Sequence, residues 1–502
     1  MSSNANTVST PASNPIVLGG IILIAVLFAA IVTGYNVAGF GLLLGLIVFV
    51  FFVRNPDYGV YATTALLLLQ GSSGVLSSAA GTSSFEITVA QLCGAATMAA
   101  WIVNALVFRA PLHMNAPMFY LAAYCLWALF GTVLSGAPDE LPHWARMFFR
   151  FALLILAVNT LDSAEKINRY LHVLILCAII TSFVSIAQYV MPNMQLSGFS
   201  WASVSASGAY VDQESLSGEA AVRVSGQAGH SNWLALMLIL LIPLNAFWFA
   251  LTRRRWLRII IVASVFLQVS VVALTFTRTG FVIGGLVFAM LVSFGMLRLS
   301  PTRIFAILLV GVVGFTLLPD SYKERVFSPR QYVASKSVQA RWALQSAALR
   351  YGFENPIFGL GTGGFGENFV TEGSETATQM RYNVQYGGWL PVFIGTHNMY
   401  LQLLADSGFI GLLIYCFFYY LTFRNLVAAR RRYIEDDDHI GQTTTTALMI
   451  SLTAFLVYAV FLHALHQPIW WMIVAAAIAI PLHRIDFKHA EEKISPTPIL
   501  LS

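Results

Sequence analysis

Charged residues are scarce in this sequence. Of its 502 residues only 10% are Asp, Glu, Lys or Arg, 57% are hydrophobic, and the mean hydropathy is +0.72. Because a soluble domain carries about 25% charged residues, the composition excludes a soluble protein and indicates an integral membrane protein with many spans. The net charge of +5 is typical of basic loops on the cytoplasmic side of a membrane and gives no indication of a nucleic-acid partner.

The sequence also lacks the marks of a disulfide framework, a cleaved leader and an internal repeat. Its four cysteines all lie inside apolar runs, so we expect neither a disulfide nor a cysteine metal cluster. Residues 1–15 contain no Lys or Arg, unlike the basic start of a signal peptide, and are predicted to be a disordered tail. The absence of paired halves argues against a transporter.

Long apolar runs recur along the chain. A spanning helix needs about 20 apolar residues, and on that criterion the sequence is predicted to be an all-α, polytopic membrane protein with about fourteen transmembrane helices. The predicted spans lie near residues 16–34, 36–53, 58–75, 86–108, 117–136, 145–161, 169–191, 230–251, 257–275, 279–297, 303–319, 398–423, 444–466 and 469–484. The runs at 58–75 and 145–161 are the weakest of these.

Basic residues predict the orientation of the chain. Residues 253–255 and 430–432 are each three consecutive arginines, and they fall on one side of the predicted membrane, which the positive-inside rule assigns to the cytoplasm together with both termini. The predicted organisation is a cytoplasmic tail (1–15), N-terminal helices (16–191), a first periplasmic loop (192–229), helices (230–319), a large, partly helical periplasmic loop (320–396), C-terminal helices (397–484) and a cytoplasmic tail (485–502).

The larger periplasmic segment begins with a predicted amphipathic helix over residues 336–352. Val338, Trp342 and Leu349 share one side of this helix.

A glycine-rich run follows this helix. Residues 359–366 contain five glycines, which permit a close approach of the backbone to a ligand, but no strand precedes the run and no nucleotide fingerprint follows it. Tyr382, Tyr386 and Trp389 come next. These aromatic rings suit either stacking on a sugar or an interfacial aromatic belt, and the sequence leaves both interpretations open.

The polar segment ends at Thr396, and a long apolar run starts directly after it. We expect Thr396 to cap the new helix, which would put His397 and Asn398 in its first turn. The N–H groups of a helix start favour an anion. An imidazole with a pKa near 6.5 suits general-base chemistry, so this boundary is a candidate site for chemistry on a lipid-anchored anion.

Three further ionisable residues lie close in sequence to membrane helices. Asp406 falls nine residues into the helix that starts at His397, about 13 Å along its axis, where it could orient a base or an arginine or make a structural hydrogen bond. His463 and His466 end a predicted span, but no carboxylate accompanies them. We therefore expect no metal site there.

Arginines on the outer side need an explanation, because positive-inside statistics disfavour them there. Arg223, Arg278 and Arg341 all fall near the predicted periplasmic surface, with Arg146 and Arg150 as a weaker pair. The planar guanidinium binds phosphate through two hydrogen bonds, which suggests a diphosphate clamp. Snorkelling or ordinary loop charge is the alternative interpretation.

Four segments together resemble one family. The pattern His397-Asn398-x-x-Leu401 with Asp406 and Gly408-x-x-Gly411 is similar to the signature of the O-antigen ligase and polysaccharide polymerase (Wzy-type) family. The other three segments keep the family's order: Arg223 to Asn232, Thr277-Arg278-Thr279-Gly280, and Arg341-Trp342 followed by Asn355-Pro356-x-x-Gly359-x-Gly361. The resemblance covers roughly residues 220–425. Asp406 stands where the family often has Glu, and Thr277 where Ser is usual.

The resemblance implies a membrane glycosyltransferase of the GT-C type. It would act at the periplasmic face of the bacterial inner membrane on a glycan carried by undecaprenyl diphosphate, with inversion, and without a metal or another cofactor. The implied catalytic residues are His397, Arg341 and Arg223, and the implied substrate-binding residues are Arg278, Asn398, Asn232, Gly361, Gly363, Asp406 and Trp342.

Several functions fit these features. The preferred interpretation is an O-antigen or exopolysaccharide polymerase working with a flippase and a chain-length regulator, because the outer segments are long. A ligase that transfers the glycan to the lipid A core differs only in the acceptor. A transporter or lipid flippase would instead place ionisable residues in mid-span, and a cell-wall glycan polymerase would show motifs that we do not find.

Overall fold

The computed structural model describes residues 36–69, 89–108, 111–135, 141–191, 224, 226, 231–297, 300–302, 305, 316, 336–372, 395–463, 465 and 467–488. Every regular element in these ranges is an α helix. In chain order they are α1 (Asn36–Arg54), α2 (Pro56–Leu69), α3 (Val89–Phe108), α4 (Ala116–Leu134), α5 (Leu141–Thr160), α6 (Ala164–Val190), α7 (Ser231–Leu251), α8 (Arg255–Leu274), α9 (Arg278–Ser293), α10 (Lys336–Glu354), α11 (Gly364–Thr371), α12 (Met399–Glu435), α13 (His439–Tyr458) and α14 (Pro468–His483).

In the part of the chain that the structure describes, seven helices are long and apolar enough to cross a membrane: α3, α4, α6, α7, α8, α12 and α13. Shorter apolar helices are the second half of α1, α9 and α14. The prediction of an all-α, polytopic membrane protein is therefore confirmed, but the number fourteen is not. Predicted span 16–34 and most of 303–319 lie outside the described residues, and α5 is not among the seven.

Polar side chains fix several helix starts. The side chain of Asn115 accepts a hydrogen bond from the Met118 amide at the start of α4, where a proline also occupies the first turn. Ser163 caps α6 in the same way, and the Asp438 carboxylate caps α13 by accepting from the Gly441 amide at 2.7 Å. Each cap satisfies a backbone donor that the helix itself leaves unpaired.

Helices α7, α13 and α14 form the centre of the bundle. α7 and α13 run antiparallel, because Tyr458 Oη donates to the Asn232 carbonyl at one end (3.1 Å) and Ser451 Oγ donates to the Leu240 carbonyl further along (2.7 Å). Every residue of α14 from Ile469 to Ile480 is buried. A helix that is apolar on all sides belongs in the interior, so these helices make the scaffold on which the remaining elements are placed.

The two ends of the bundle differ in charge. At one end Tyr433 Oη donates to the Ile485 carbonyl, His483 contacts the Val158 carbonyl and Lys488 Nζ donates to the Asp436 carbonyl. We call this the basic end. Its cationic residues in the described ranges include Lys166, Arg169, Arg253, Arg254, Arg255, Arg258, Arg430, Arg431, Arg432, Arg484 and Lys488. The opposite end, where α7 and α12 begin and α13 finishes, is called the His397 end.

Helix α12 is bent, and the bend positions its first residues. Tyr400 Oη donates to the Leu456 carbonyl at 2.9 Å, while the Tyr419 ring lies 6.1 Å from the ring of the adjacent Phe455. A straight helix would separate the two tyrosines by about 28 Å. Gly408, with φ 67° and ψ −174°, is the break. α12 thus has a short arm (residues 399–407) across the end of α13 and a long arm (residues 409–435).

The segment between α10 and α11 replaces the helical hydrogen bonds that the bend removes. The Leu360 and Gly361 amides donate to the carbonyls of Ala405 and Asp406 at 2.8 and 3.1 Å, and the Phe409 amide donates to the Pro356 carbonyl at 2.8 Å. Within a membrane every backbone polar group must be satisfied inside the protein. The bend and the glycine-rich segment are therefore one unit.

Candidate functional site

Asn398, not Thr396, caps α12. The Asn398 side-chain oxygen accepts from the amides of Tyr400 and Leu401 at 3.0 and 3.2 Å, and the helix starts at Met399. The predicted cap at Thr396 is therefore wrong, and His397 and Asn398 precede the first turn instead of occupying it. Both residues are good caps, and the contact of the Met399 amide with the Ala459 carbonyl (2.8 Å) fixes the later start.

The start of α12 does not supply the expected anion site. The Met399 amide is bound to the Ala459 carbonyl, the next two amides to the Asn398 side chain, and the Gln402 amide to the Asn398 carbonyl at 2.9 Å. All four initial N–H groups thus have acceptors within the protein. The expectation that this helix start would bind phosphate through its backbone is wrong, and any anion bound here must be held by side chains.

His397 adopts a left-handed backbone conformation, with φ 53°. Such a conformation costs a residue other than glycine about 1–3 kcal/mol and persists only where the surroundings enforce it. Its two neighbours supply that constraint, since the Asn398 amide donates to Thr396 Oγ1 at 3.1 Å and Thr396 Oγ1 donates to the Asn398 carbonyl at 2.5 Å. The imidazole is thereby presented from a rigid turn.

A buried chain of polar groups, which we call the relay, supports this turn. The Thr396 amide donates to Gln402 Oε1 at 2.9 Å, and Gln402 Nε2 donates to Asp406 Oδ2 at 2.9 Å. Asp406 Oδ1 accepts from the Phe365 amide in α11 at 3.2 Å. The relay connects the turn beside His397 to the glycine-rich segment. Gln402 was not predicted, although its spacing of four from both Asn398 and Asp406 puts the three on one helix face.

A second histidine packs against His397. The His397 and His463 rings meet edge to face with centroids 5.3 Å apart, and His463 in turn lies 6.2 Å from the Trp233 ring. His463 lies in the turn between α13 and α14, and the chain at Gly395 passes so close that an added Cβ would be 2.6 Å from this ring. Burial lowers the pKa of His463 to about 4, so this ring is neutral near pH 7.

Asn232 and Arg278 belong to the same end of the bundle. Thr277 Oγ1, one residue before Arg278 at the start of α9, donates to Asn232 Oδ1 at 3.2 Å. The Asn232 carbonyl accepts from Tyr458, and the adjacent Ala459 carbonyl accepts from the amide of Met399. A continuous set of contacts thus leads from Thr277 to the residues beside His397.

Arg223 lies outside the described residues. The residue after it, Val224, is buried, and its amide donates to the Leu274 carbonyl at the end of α8 at 3.3 Å. Gly226, with φ 53°, donates its amide to Gln188 Oε1 at 3.0 Å. The described part of this segment is therefore fixed to the ends of α6 and α8.

The predicted helix before the glycine run is present as α10, and one of its sides is buried. The buried side consists of Leu344, Ala347, Ala348 and Tyr351, which pack in one cluster with Ala405 of α12. Trp342 is 75% exposed and turns away from that cluster. The helical spacing puts Arg341 on the same stripe as Leu344 and Ala348, one turn nearer the start of the helix.

The glycine-rich segment approaches the protein's own backbone closely. A Cβ at Gly359 would lie 2.5 Å from the Asp406 carbonyl carbon, and one at Gly361 would lie 2.7 Å from Ser135 Oγ. Gly361 and Gly363 have φ values of 88° and 94°, and Gly363 forms the start of α11. These glycines therefore allow the segment to contact α4 and α12.

Comparison with known proteins identifies one family. The family model described as O-antigen ligase matches residues 263–416. This segment is therefore similar to O-antigen ligases, and we call it the O-antigen ligase domain. The resemblance to the ligase and polymerase family is thereby confirmed, over a shorter range than the 220–425 expected. No curated protein matches the chain.

The O-antigen ligase domain contains most of the predicted site. It runs from α8 to the long arm of α12 and includes Arg278, Arg341 and His397, whereas Arg223 and Asn232 precede it. Members of the family are membrane glycosyltransferase-like enzymes. Within the described ranges no group of three or more His, Cys, Asp or Glu side chains could hold a metal ion.

Proposed function

We propose that the protein is a bacterial inner-membrane glycosyltransferase of the GT-C type. It transfers a glycan from an undecaprenyl-diphosphate carrier to an acceptor at the periplasmic face, with inversion and without a metal. The observation that carries this proposal is the convergence of His397, Asn398, Asn232 and the Thr277–Arg278 turn at the end of the bundle opposite the basic residues. The O-antigen ligase domain, which includes His397, Asn398 and the Thr277–Arg278 turn but not Asn232, supports it.

The charge distribution supports the orientation. Because cytoplasmic loops carry the excess of Lys and Arg, the basic end corresponds to the cytoplasm and the His397 end to the periplasm. The long arm of α12 alone is long enough to span the bilayer, since about 20 helical residues suffice. The short arm then lies near the outer surface, where a lipid-linked donor presents its sugar.

The proposed chemistry needs a base and cations. The acceptor hydroxyl attacks the anomeric carbon while the bond from that carbon to the diphosphate oxygen breaks, and His397 takes the hydroxyl proton. Arg341, Arg278 and Arg223 neutralise the leaving diphosphate, which a divalent ion would otherwise do. Asn398, Asp406 and the neutral His463 hold the imidazole in place.

Two acceptors remain under this proposal. We favour a second lipid-linked repeat unit, which makes the protein a polymerase, because the outer segments are long. The ligase reaction is the second candidate, because the matching family model carries that description. Supplying one donor with either a lipid-linked repeat unit or a lipid A core acceptor separates them. A polymerase elongates the first acceptor and leaves the second unmodified.

Replacing single side chains tests the site itself. His397→Ala and Arg341→Ala should each abolish transfer from a lipid-linked donor at normal protein level. His439→Ala and Arg431→Ala, which alter exposed residues at the basic end, are the matched controls and should retain activity. Full activity of His397→Ala would remove this residue from the mechanism. A chelator should leave the rate unchanged, and strong inhibition would contradict the metal-free reaction.

A further inference from the structure

Helix α10 has three faces with different surroundings. One face, with Leu344, Ala348 and Tyr351, is buried against α12. A second face carries Trp342, Leu349 and Phe353, which are 75%, 44% and 65% exposed. These three residues have spacings of seven and four and therefore form a single stripe, which we call the outer stripe.

The third face of α10 is polar. Arg350 and Glu354 are exposed and lie next to the outer stripe around the helix, whereas Ser346, four residues after Trp342, belongs to the stripe itself. Arg350 pairs with Glu372, which also accepts a hydrogen bond from the Tyr351 hydroxyl at 2.7 Å. A helix with protein on one side, water on the second and large apolar side chains on the third fits a position in the plane of a membrane surface.

The outer stripe continues into the lipid-facing surface of α12. The Phe353 ring lies 5.5 Å from the ring of Phe409, the first residue of the long arm. The Phe409 amide is bound to the Pro356 carbonyl, and the side chains of Ile357 and Ile410 are exposed beside it. Below this junction Leu413 and Phe417 are exposed on the same apolar span. The stripe is thus the upper edge of a surface that meets the bilayer.

We propose that α10 is an in-plane membrane helix whose outer stripe inserts into the outer leaflet of the phospholipid bilayer. Tryptophan is enriched at such interfaces, and exposed apolar patches of this kind mark membrane or protein contacts. The opposite face of the same helix packs on the short arm of α12, so the bilayer surface and the turn at His397 share one rigid element. This inference rests on the proposed orientation of the chain but not on the proposed reaction.

Photo-crosslinking tests the inserted face. Benzoylphenylalanine is placed singly at positions 342, 349 and 353 of the full chain, and at 350 and 354 on the polar face as matched controls. The protein is reconstituted in nanodiscs of one phospholipid without any isoprenoid. We expect phospholipid adducts at the three stripe positions in yields at least several-fold above those at 350 and 354.

Three results would overturn the proposal. Equal lipid yields on the two faces would show that α10 is not inserted by this stripe. Adducts to the protein itself at 342 and 349 would show that another segment of the chain covers the stripe. Loss of phospholipid adducts on adding a polyprenyl phosphate would show that the carrier chain, and not the bilayer, occupies it. Unchanged yields of phospholipid adducts after that addition support insertion of the stripe into the bilayer.

Discussion

The replacement Asp406→Asn tests how the turn at His397 is held. The Asp406 carboxylate accepts from two donors, Gln402 Nε2 and the Phe365 amide. The Gln402 amide group cannot rotate to help, because its oxygen accepts from the Thr396 amide. Asparagine has the same shape but only one oxygen. One of the two donors must then face an NH2 group, or Gln402 must release Thr396.

The expected loss follows from that mismatch. The side chains of Thr396, Gln402 and Asp406 are buried. Leaving one buried hydrogen-bond donor unsatisfied costs about 1–3 kcal/mol, which corresponds to roughly a 5- to 150-fold change in an equilibrium constant. We expect faster amide hydrogen exchange in residues 360–371 and 395–403, measured by mass spectrometry. Transfer activity should fall in parallel, because the turn that presents His397 loses its support.

Asp438→Asn is the matched control. Asp438 is also buried, and its carboxylate accepts from the Gly441 and Phe487 amides at 2.7 and 3.1 Å, but at the basic end. This variant should lose comparable stability without a change in exchange near His397. If Asp406→Asn leaves exchange near Thr396 and Phe365 unchanged while Asp438→Asn raises it near Gly441, the relay does not hold the turn.

Three further predictions concern the bend at Gly408, the second histidine, His463, and the ion pair between Arg350 and Glu372. Gly408→Ala should lower the melting temperature and activity, because φ 67° costs alanine about 1–3 kcal/mol and the new Cβ would lie 2.3 Å from a carbonyl oxygen. The control Gly284→Ala, with open space around it, should change neither quantity. Equal melting temperatures of the two variants would contradict a special role of Gly408 in the bend. Because burial lowers the pKa of His463 to about 4, its contribution to stability is present above pH 6.5 and is lost as the pH falls toward 4. His463→Phe should flatten this part of a plot of melting temperature against pH. An unchanged plot would refute the contribution of His463. Glu372→Gln should speed hydrogen exchange in α11, because the ion pair with Arg350 is lost and the hydrogen bond from Tyr351 weakens, with an effect of about 0.2–1 kcal/mol. Unaltered exchange would show that these contacts do not hold α11.

Apolar run length predicts the membrane helices well. The run predicted at 230–251 is Ser231–Leu251, and that at 257–275 is Arg255–Leu274. The end of α12 was placed at 423, whereas the helix continues to Glu435. Hydropathy marks where the apolar run ends, but the helix itself continues, because arginines are good helix formers.

The bend in α12 could not be predicted from the local sequence. Gly408 alone is compatible with a continuous span, since glycine is frequent in membrane helices. The break depends on the distant residues 356–361, whose amides and carbonyls replace the helical hydrogen bonds. Tertiary contacts also decide which side of α10 is buried. This helix is apolar on two faces, so its packing face could not be identified from periodicity alone.

The candidate site is predictable in part. The sequence places His397 and Asn398 at a helix start, and the structure keeps them there. It cannot choose between Thr396 and Asn398 as the cap, because both residue types are favoured and the choice depends on a contact with Ala459. Gln402 and His463 carry no motif, and they gain significance only from the packing of α13 and of the short arm.

The bend has a consequence for how such a protein can adapt to different membranes. The short arm takes its position from α13 and from the glycine-rich segment, so the height of His397 does not depend on the length of the long arm. Residues could be gained or lost between 412 and 430, matching a thinner or thicker bilayer, while the imidazole stays where it is. Bilayer matching and the position of His397 can therefore vary independently in one helix.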